Sequence, residues 1–150
     1  MHRLVASWFG TGLILGRLRG SHVGSGTVGA AFAFLIAYLV GGFGWPAQVA
    51  AALVVILLAL WSARRFIAAE GDAGWIVADE AAGVFVAVIG LELWPAVVAW
   101  VVFRTADIFK TLAPGVSAAE RLPGSVGVTA DDVVAGLYGL LAGHIVQALT

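Results

Sequence analysis

Arg104, Asp107 and Lys110 recur every third residue in the stretch Phe103-Arg104-Thr105-Ala106-Asp107-Ile108-Phe109-Lys110, so a helix through them sets all three on one narrow strip. Two acidic doublets, Asp79-Glu80 and Asp131-Asp132, border apolar runs in the same way. Five carboxylates brought together repel unless they are protonated or bind a cation, and hard oxygen ligands favour Mg²⁺ or a similar ion. Arginine's planar fork and lysine's point charge hold the oxygens of a phosphate. Cation-assisted chemistry on a phosphate is therefore what these groups would do if they met. Each group also has a plainer reading. The strip could be surface ion pairs at spacing three, which stabilise weakly. Thr129 followed by Asp132 resembles a capping box, which would make Asp131-Asp132 the start of a helix. Asp79 and Glu80 point about 100° apart on a helix, so one of them could simply be solvated. The shared depth of the groups favours a site, because ionisable residues bordering membrane spans are costly and tend to be functional.

The elements that must position these groups are apolar. The 150-residue chain is 61% hydrophobic and 11% charged, with a mean hydropathy of +1.02. These values lie outside the range of soluble domains and imply a membrane protein of one domain, residues 1–150. No basic stripe with interleaved aromatics suggests nucleic acid. The absence of cysteine removes disulfides and thiolate chemistry. His2, His22 and His144 form no metal-binding or base-nucleophile pattern.

The spacing predicts an all-α, polytopic membrane bundle built from helical hairpins. Residues 4–15 are too few to cross about 30 Å of hydrocarbon and read as an interfacial or re-entrant helix. Its charged start and short apolar run imitate a signal peptide, but no convincing cleavage site follows, so it is expected to be retained. A loop rich in glycine and small hydroxyls covers residues 17–29. It lacks the Gly-Lys-Ser/Thr ending of a P-loop, although a helix N-terminus after Thr27 could bind an anion. A first hairpin follows, with arms 30–40 and 47–61 and an uncharged tip. After a polar loop at 70–74, a second hairpin runs from about Glu80 to Leu91 and from Ala96 through Lys110. Residues 111–129 read as loop, and 131–149 as the last helix. Tracing the hairpins out and back places all eight Lys and Arg residues at one end, which the positive-inside rule makes cytoplasmic.

Four blocks resemble a known family. They are Gly26-Thr27-Val28-Gly29, then Ile76-Val77-Ala78-Asp79-Glu80 with Gly83, then Phe103 through Lys110, and finally Gly124-Ser125-Val126-Gly127-Val128-Thr129-Ala130-Asp131-Asp132 continuing to Gly136. In this order they resemble the phosphatidylglycerophosphatase A family over nearly the whole chain. The resemblance implies a bacterial inner-membrane, Mg²⁺-dependent phosphatase that converts phosphatidylglycerophosphate to phosphatidylglycerol at the cytoplasmic face. Its acidic and basic motif residues would form the active site, with Gly26 and Thr27 nearby. In this reading Glu80, Asp107 and Asp132 are the favoured metal ligands, and Asp79 or Asp131 completes the shell or acts as base. Arg104 and Lys110 neutralise the phosphate. The chain departs from the family pattern at Ser25 and Thr111, where proline is usual, and at Ser125, where glycine is usual. The alternative is a small membrane transporter or channel subunit whose charges orient it. The sequence leaves a homo-oligomer open.

Overall fold

The computed structural model describes residues 1–71 and 73–150. Asp72, in the polar loop expected before Trp75, lies outside them. Eight α-helices and no strand occur among the described residues: α1 (His2–Ala6), α2 (Thr11–Arg19), α3 (Ser25–Val40), α4 (Trp45–Glu70), α5 (Ala78–Ala87), α6 (Leu93–Ile108), α7 (Val116–Glu120) and α8 (Ser125–Leu149). Three segments, Ser25–Phe43, Trp45–Ala69 and Ser125–Leu149, are long and apolar enough to cross a bilayer. At 1.5 Å per residue, 25 residues reach about 37 Å. The protein is an all-helical membrane protein.

The short α5 is the hub. Helices α3, α4 and α8 all pack against it, and α8 also packs along α6. Nine of its ten residues are buried. A helix of this length cannot cross a membrane, but one enclosed by protein has no need to shield its ends from lipid.

Helices in a bilayer gain little from hiding apolar surface, because lipid tails are apolar too, so close backbone approach through small residues drives packing. The core follows this rule. Ala30, Ala33, Ala37, Ala59, Ala81, Ala82, Ala87, Ala96, Ala99 and Ala135 are buried, whereas Leu35, Leu39, Leu53, Leu57, Leu137, Leu141 and Ile145 are exposed. On α8, a Cβ at Gly136 would strike the Gly83 carbonyl, and one at Gly139 would lie 3.1 Å from Phe103 Cβ. Those two glycines let α5, α6 and α8 draw together at the depth of the charged residues.

Several boundaries differ from the sequence expectation. The N-terminal segment is two helices rather than one, because Trp8 (φ 45°), Phe9 (φ 57°) and Gly10 (φ 92°) turn left-handed in succession. Trp8 compensates by burying its ring edge-on against Phe85, 5.8 Å between centroids. Helix α3 begins at Ser25, so Gly26, Thr27 and Gly29 belong to a helix rather than a loop. Part of the expected loop 111–129 is the helix α7. Helix α8 starts at Ser125, so Asp131 and Asp132 lie about two turns inside it and do not cap it. Gly124 (φ 61°) turns the chain, and Gly127, whose Cβ would meet the Leu122 and Glu120 carbonyls, lets the turn close tightly. Helix α6 stops at Ile108, and Phe109 (φ −108°, ψ 60°) leaves helical geometry, so Lys110 does not continue the strip of Arg104 and Asp107.

Candidate functional site

The starts of α3 and α5, the end of α6 and the second turn of α8 converge at one end of the bundle. Arg104 organises the junction. Its Nη1 donates to Asp107 Oδ2 at 2.5 Å, and its Nη2 donates to Thr27 Oγ1 at 3.4 Å. A Cβ on Gly26 would collide with Glu80 Oε1 and lie 3.3 Å from Arg104 Nη2. The first turn of α3 is therefore cut back to hydrogen where Glu80 and Arg104 approach it. Asp132 lies within electrostatic reach of Asp107, Asp79, Asp131 and Arg104, and Glu80 within reach of Asp132, Asp107 and Arg104.

The two acidic doublets divide their work in the same way. Asp79 Oδ1 accepts the backbone N–H of Glu80 at 3.1 Å, and Asp131 Oδ1 accepts that of Asp132 at 2.9 Å. In each pair the second acid keeps a buried oxygen without a hydrogen-bond partner, Oε2 of Glu80 and Oδ1 of Asp132. Arg104 Nε, Ser25 Oγ and Thr129 Oγ1 are also buried and unpartnered. Buried polar atoms are rarely left so, because each forfeits its hydration, and a cluster of them marks a place for a ligand. Burial pushes the Glu80 carboxyl up to about 8, helped by the nearby charge of Asp132 and opposed by a hydrogen bond from Asp79 and by Arg104.

Lys110 stands apart from this group. Its Nζ donates to Asp131 Oδ2 and Glu120 Oε1, each at 2.6 Å. Burial alone would lower its pKa, but the two hydrogen bonds and charges more than offset that and raise it above the ordinary lysine value. The pairing ties the turn after α6 and the helix α7 to α8. Sequence reasoning set Lys110 beside Arg104 on one helical strip; the structure sets it on a different pair of carboxylates. Glu120 was missed, because nothing in its local sequence separates it from an ordinary surface acid.

The donors fit a hard divalent cation in kind. Glu80, Asp107 and Asp132 supply carboxylate oxygens, and two of those oxygens have no other partner. Among the described residues, no three acidic or imidazole groups converge closely enough to form a finished cage. Uncompensated carboxylates repel, and Arg104 holds Asp107 in the meantime. A cavity of about 580 Å³ lies at the other end of the bundle, lined by residues that include Gln48, Trp45, Glu92 and Gln147, and it contains none of these groups.

The family model described as phosphatidylglycerophosphatase A matches residues 4–147. A protein of Bacteroides thetaiotaomicron whose name reads "Putative phosphatidylinositol-3-phosphatase" is 32% identical over 149 residues, covering 92% of this chain and 88% of that protein. No solved structure matches the chain.

Proposed function

Since the chain belongs to the phosphatidylglycerophosphatase A family, we propose that it removes the terminal phosphate of phosphatidylglycerophosphate with Mg²⁺, releasing phosphatidylglycerol and inorganic phosphate at the cytoplasmic face of a bacterial inner membrane. The observation that carries this reading is the pair of unpartnered carboxylate oxygens, Glu80 Oε2 and Asp132 Oδ1, beside Arg104 with its unpartnered Nε.

Glu80, Asp107 and Asp132 would hold the cation. Once bound, Mg²⁺ supplies Lewis-acid polarisation of the phosphoryl group and lowers the pKa of attached water. Arg104 is placed to take the phosphate oxygens. Its guanidinium is anchored by Asp107 and Thr27 on two nitrogens and still offers Nε. Gly26 keeps the approach open, because any side chain there would occupy the space of Glu80 and Arg104. In the reaction, a water oxygen bonds to phosphorus, the bond from phosphorus to the glycerol oxygen breaks, and that oxygen takes up a proton. Asp79 or Asp131 would complete the shell or act as base, Asp131 while holding Lys110. Lys110 then acts at one remove, by fixing Asp131 and the start of the second doublet.

The test is phosphate release from phosphatidylglycerophosphate by the purified protein in detergent, with Mg²⁺ or with a chelator. Release that requires Mg²⁺ and disappears in Asp107→Asn supports the reading. Release that survives either change rejects it.

A further inference from the structure

Beside the carboxylate site lies a second polar feature with no part in the chemistry above. Arg3, Leu13, Gly16, Arg17 and His22 line a cavity of about 330 Å³. Among the described residues no acidic side chain lines it. Among the described residues neither Arg3 nor Arg17 forms an ion pair. Arg3 is instead steadied by the face of Trp75, 5.4 Å from the ring centroid, a contact that fixes a cation without neutralising it. His22 Nδ1 donates to the Gly12 carbonyl at 3.2 Å, which orients the ring; among the described residues Nε2 makes no hydrogen bond. The ring lies against Gly16, where a Cβ would overlap it. Two guanidiniums around a small hollow attract an oxyanion, and the fork geometry of arginine suits phosphate.

Two further observations say where that phosphate comes from. The surrounding surface is apolar and exposed: Leu4, Phe9, Ile14, Leu18 and Val23 all face outward. A short amphipathic unit of this kind lies in the membrane interface, which sets its arginines at the level of lipid head groups. Both walls of the cavity lead by short stretches of chain towards the carboxylate site. Trp75, under Arg3, leads directly into Asp79-Glu80. The His22 carbonyl accepts the Ser25 N–H at 3.0 Å, and the following Gly26 and Thr27 touch Glu80 and Arg104.

We propose that the Arg3–Arg17–His22 cavity is a second anion subsite, which holds the phosphodiester of a glycerophospholipid while its terminal phosphomonoester occupies the carboxylate site. This rests on the phosphatase reading, and it assigns recognition of the lipid's phosphodiester to Arg3, Arg17 and His22. Phosphatidic acid, whose only phosphate is a monoester directly on diacylglycerol, lacks the group this subsite reads.

The experiment compares kcat/KM for phosphatidylglycerophosphate and phosphatidic acid in mixed micelles, for the wild type, Arg3→Ala, Arg17→Ala and Arg17→Lys. The preference for the first lipid should fall about 10-fold in either alanine variant, through KM, with Arg17→Lys intermediate because lysine keeps the charge but loses the fork. A preference that stays the same, or an equal loss on both lipids, overturns the proposal. A second arm needs no catalysis. Retention of phosphatidylglycerol relative to diacylglycerol is measured by native mass spectrometry for the wild type and the Arg3→Ala/Arg17→Ala double variant, with and without millimolar inorganic phosphate. Retention lost in the variant and indifferent to phosphate supports a head-group subsite. Retention that phosphate abolishes in the wild type assigns the cavity to free phosphate and overturns the lipid assignment, as does equal retention by both proteins. If the wild type hydrolyses neither lipid but retains phosphatidylglycerol through these arginines, the phosphatase reading falls and the subsite stands.

Discussion

The two ends of the bundle hold polar clusters built on opposite terms. At the end away from the carboxylates, Gln48 is buried, and its amide is fully used. Its Oε1 accepts the Gly90 N–H at 2.8 Å, and its Nε2 donates to the Val88 carbonyl at 3.2 Å. Gln147 accepts from the Glu92 N–H at 2.7 Å and donates to the Gly90 carbonyl at 3.0 Å, and His144 meets the Ile89 carbonyl at 3.0 Å. These side chains replace the backbone partners lost where α5 turns into α6, and none of their atoms is buried without a partner. At the carboxylate end, Glu80 Oε2, Asp132 Oδ1, Arg104 Nε, Ser25 Oγ and Thr129 Oγ1 are all buried and unpartnered. The first cluster satisfies itself; the second is left open, as the proposed ligand site requires. The same distinction separates Lys110, saturated by Asp131 and Glu120, from Arg104, which keeps a free nitrogen.

That contrast makes graded predictions. Asp107→Asn or Asp132→Asn should lower lipid phosphate release by about 10³-fold or more, roughly 4 kcal/mol of lost transition-state stabilisation, without a large change in thermal stability. A loss of folded protein that parallels the loss of activity would put these acids in the scaffold instead. Gly26→Ala comes next. Its methyl group meets Glu80 and Arg104 together, and misplacement on this scale costs on the order of 100-fold in rate. Unchanged turnover would show that the approach to the site lies elsewhere.

The pH dependence follows from Glu80, whose carboxyl titrates near 8 without a cation. Its folded value exceeds the ordinary 4.5, so its contribution to stability is present at low pH and is lost as pH rises towards 8. In chelator, the melting temperature should therefore decline over that window. Cation binding requires the ionised form, so apparent Mg²⁺ affinity should climb up to about tenfold per pH unit below 8 and then level off. Glu80→Gln should make both curves shallower.

The smallest effect on activity belongs to the other end. Gln48→Leu leaves the Gly90 N–H without its partner, which costs about 1–3 kcal/mol of stability, while turnover per folded molecule stays near wild type. A Gln48 variant that folds normally but is inactive would erase the distinction between the two clusters.

Much of this organisation was legible in the sequence, because charge in a chain this apolar is conspicuous. The helical class, the apolar hairpin arms with the last apolar helix, and the grouping of Asp79, Glu80, Arg104, Asp107, Asp131 and Asp132 at one end follow from composition and hairpin tracing; the full length of the three long apolar helices does not. What was not legible depends on backbone detail. Nothing in residues 125–130 announces that α8 begins at Ser125, and so the last helix reads as starting at Asp131. Periodicity alone carries α6 through Lys110, whereas Phe109 breaks away and sends the lysine to Glu120. The left-handed turn at Trp8 and Phe9 is invisible to pattern reading, since neither residue favours positive φ. The division within each doublet, one acid holding the backbone and the next left open, is likewise a property of side-chain geometry.

The most direct test of the open cluster asks whether it takes up a cation before any substrate is present. Mn²⁺ binding to the detergent-solubilised full chain can be followed by electron paramagnetic resonance for the wild type and the Glu80→Gln/Asp132→Asn double variant. Saturable binding by the wild type that Mg²⁺ displaces and the double variant lacks is the predicted result. Equal binding by both proteins, or none by the wild type, would contradict it.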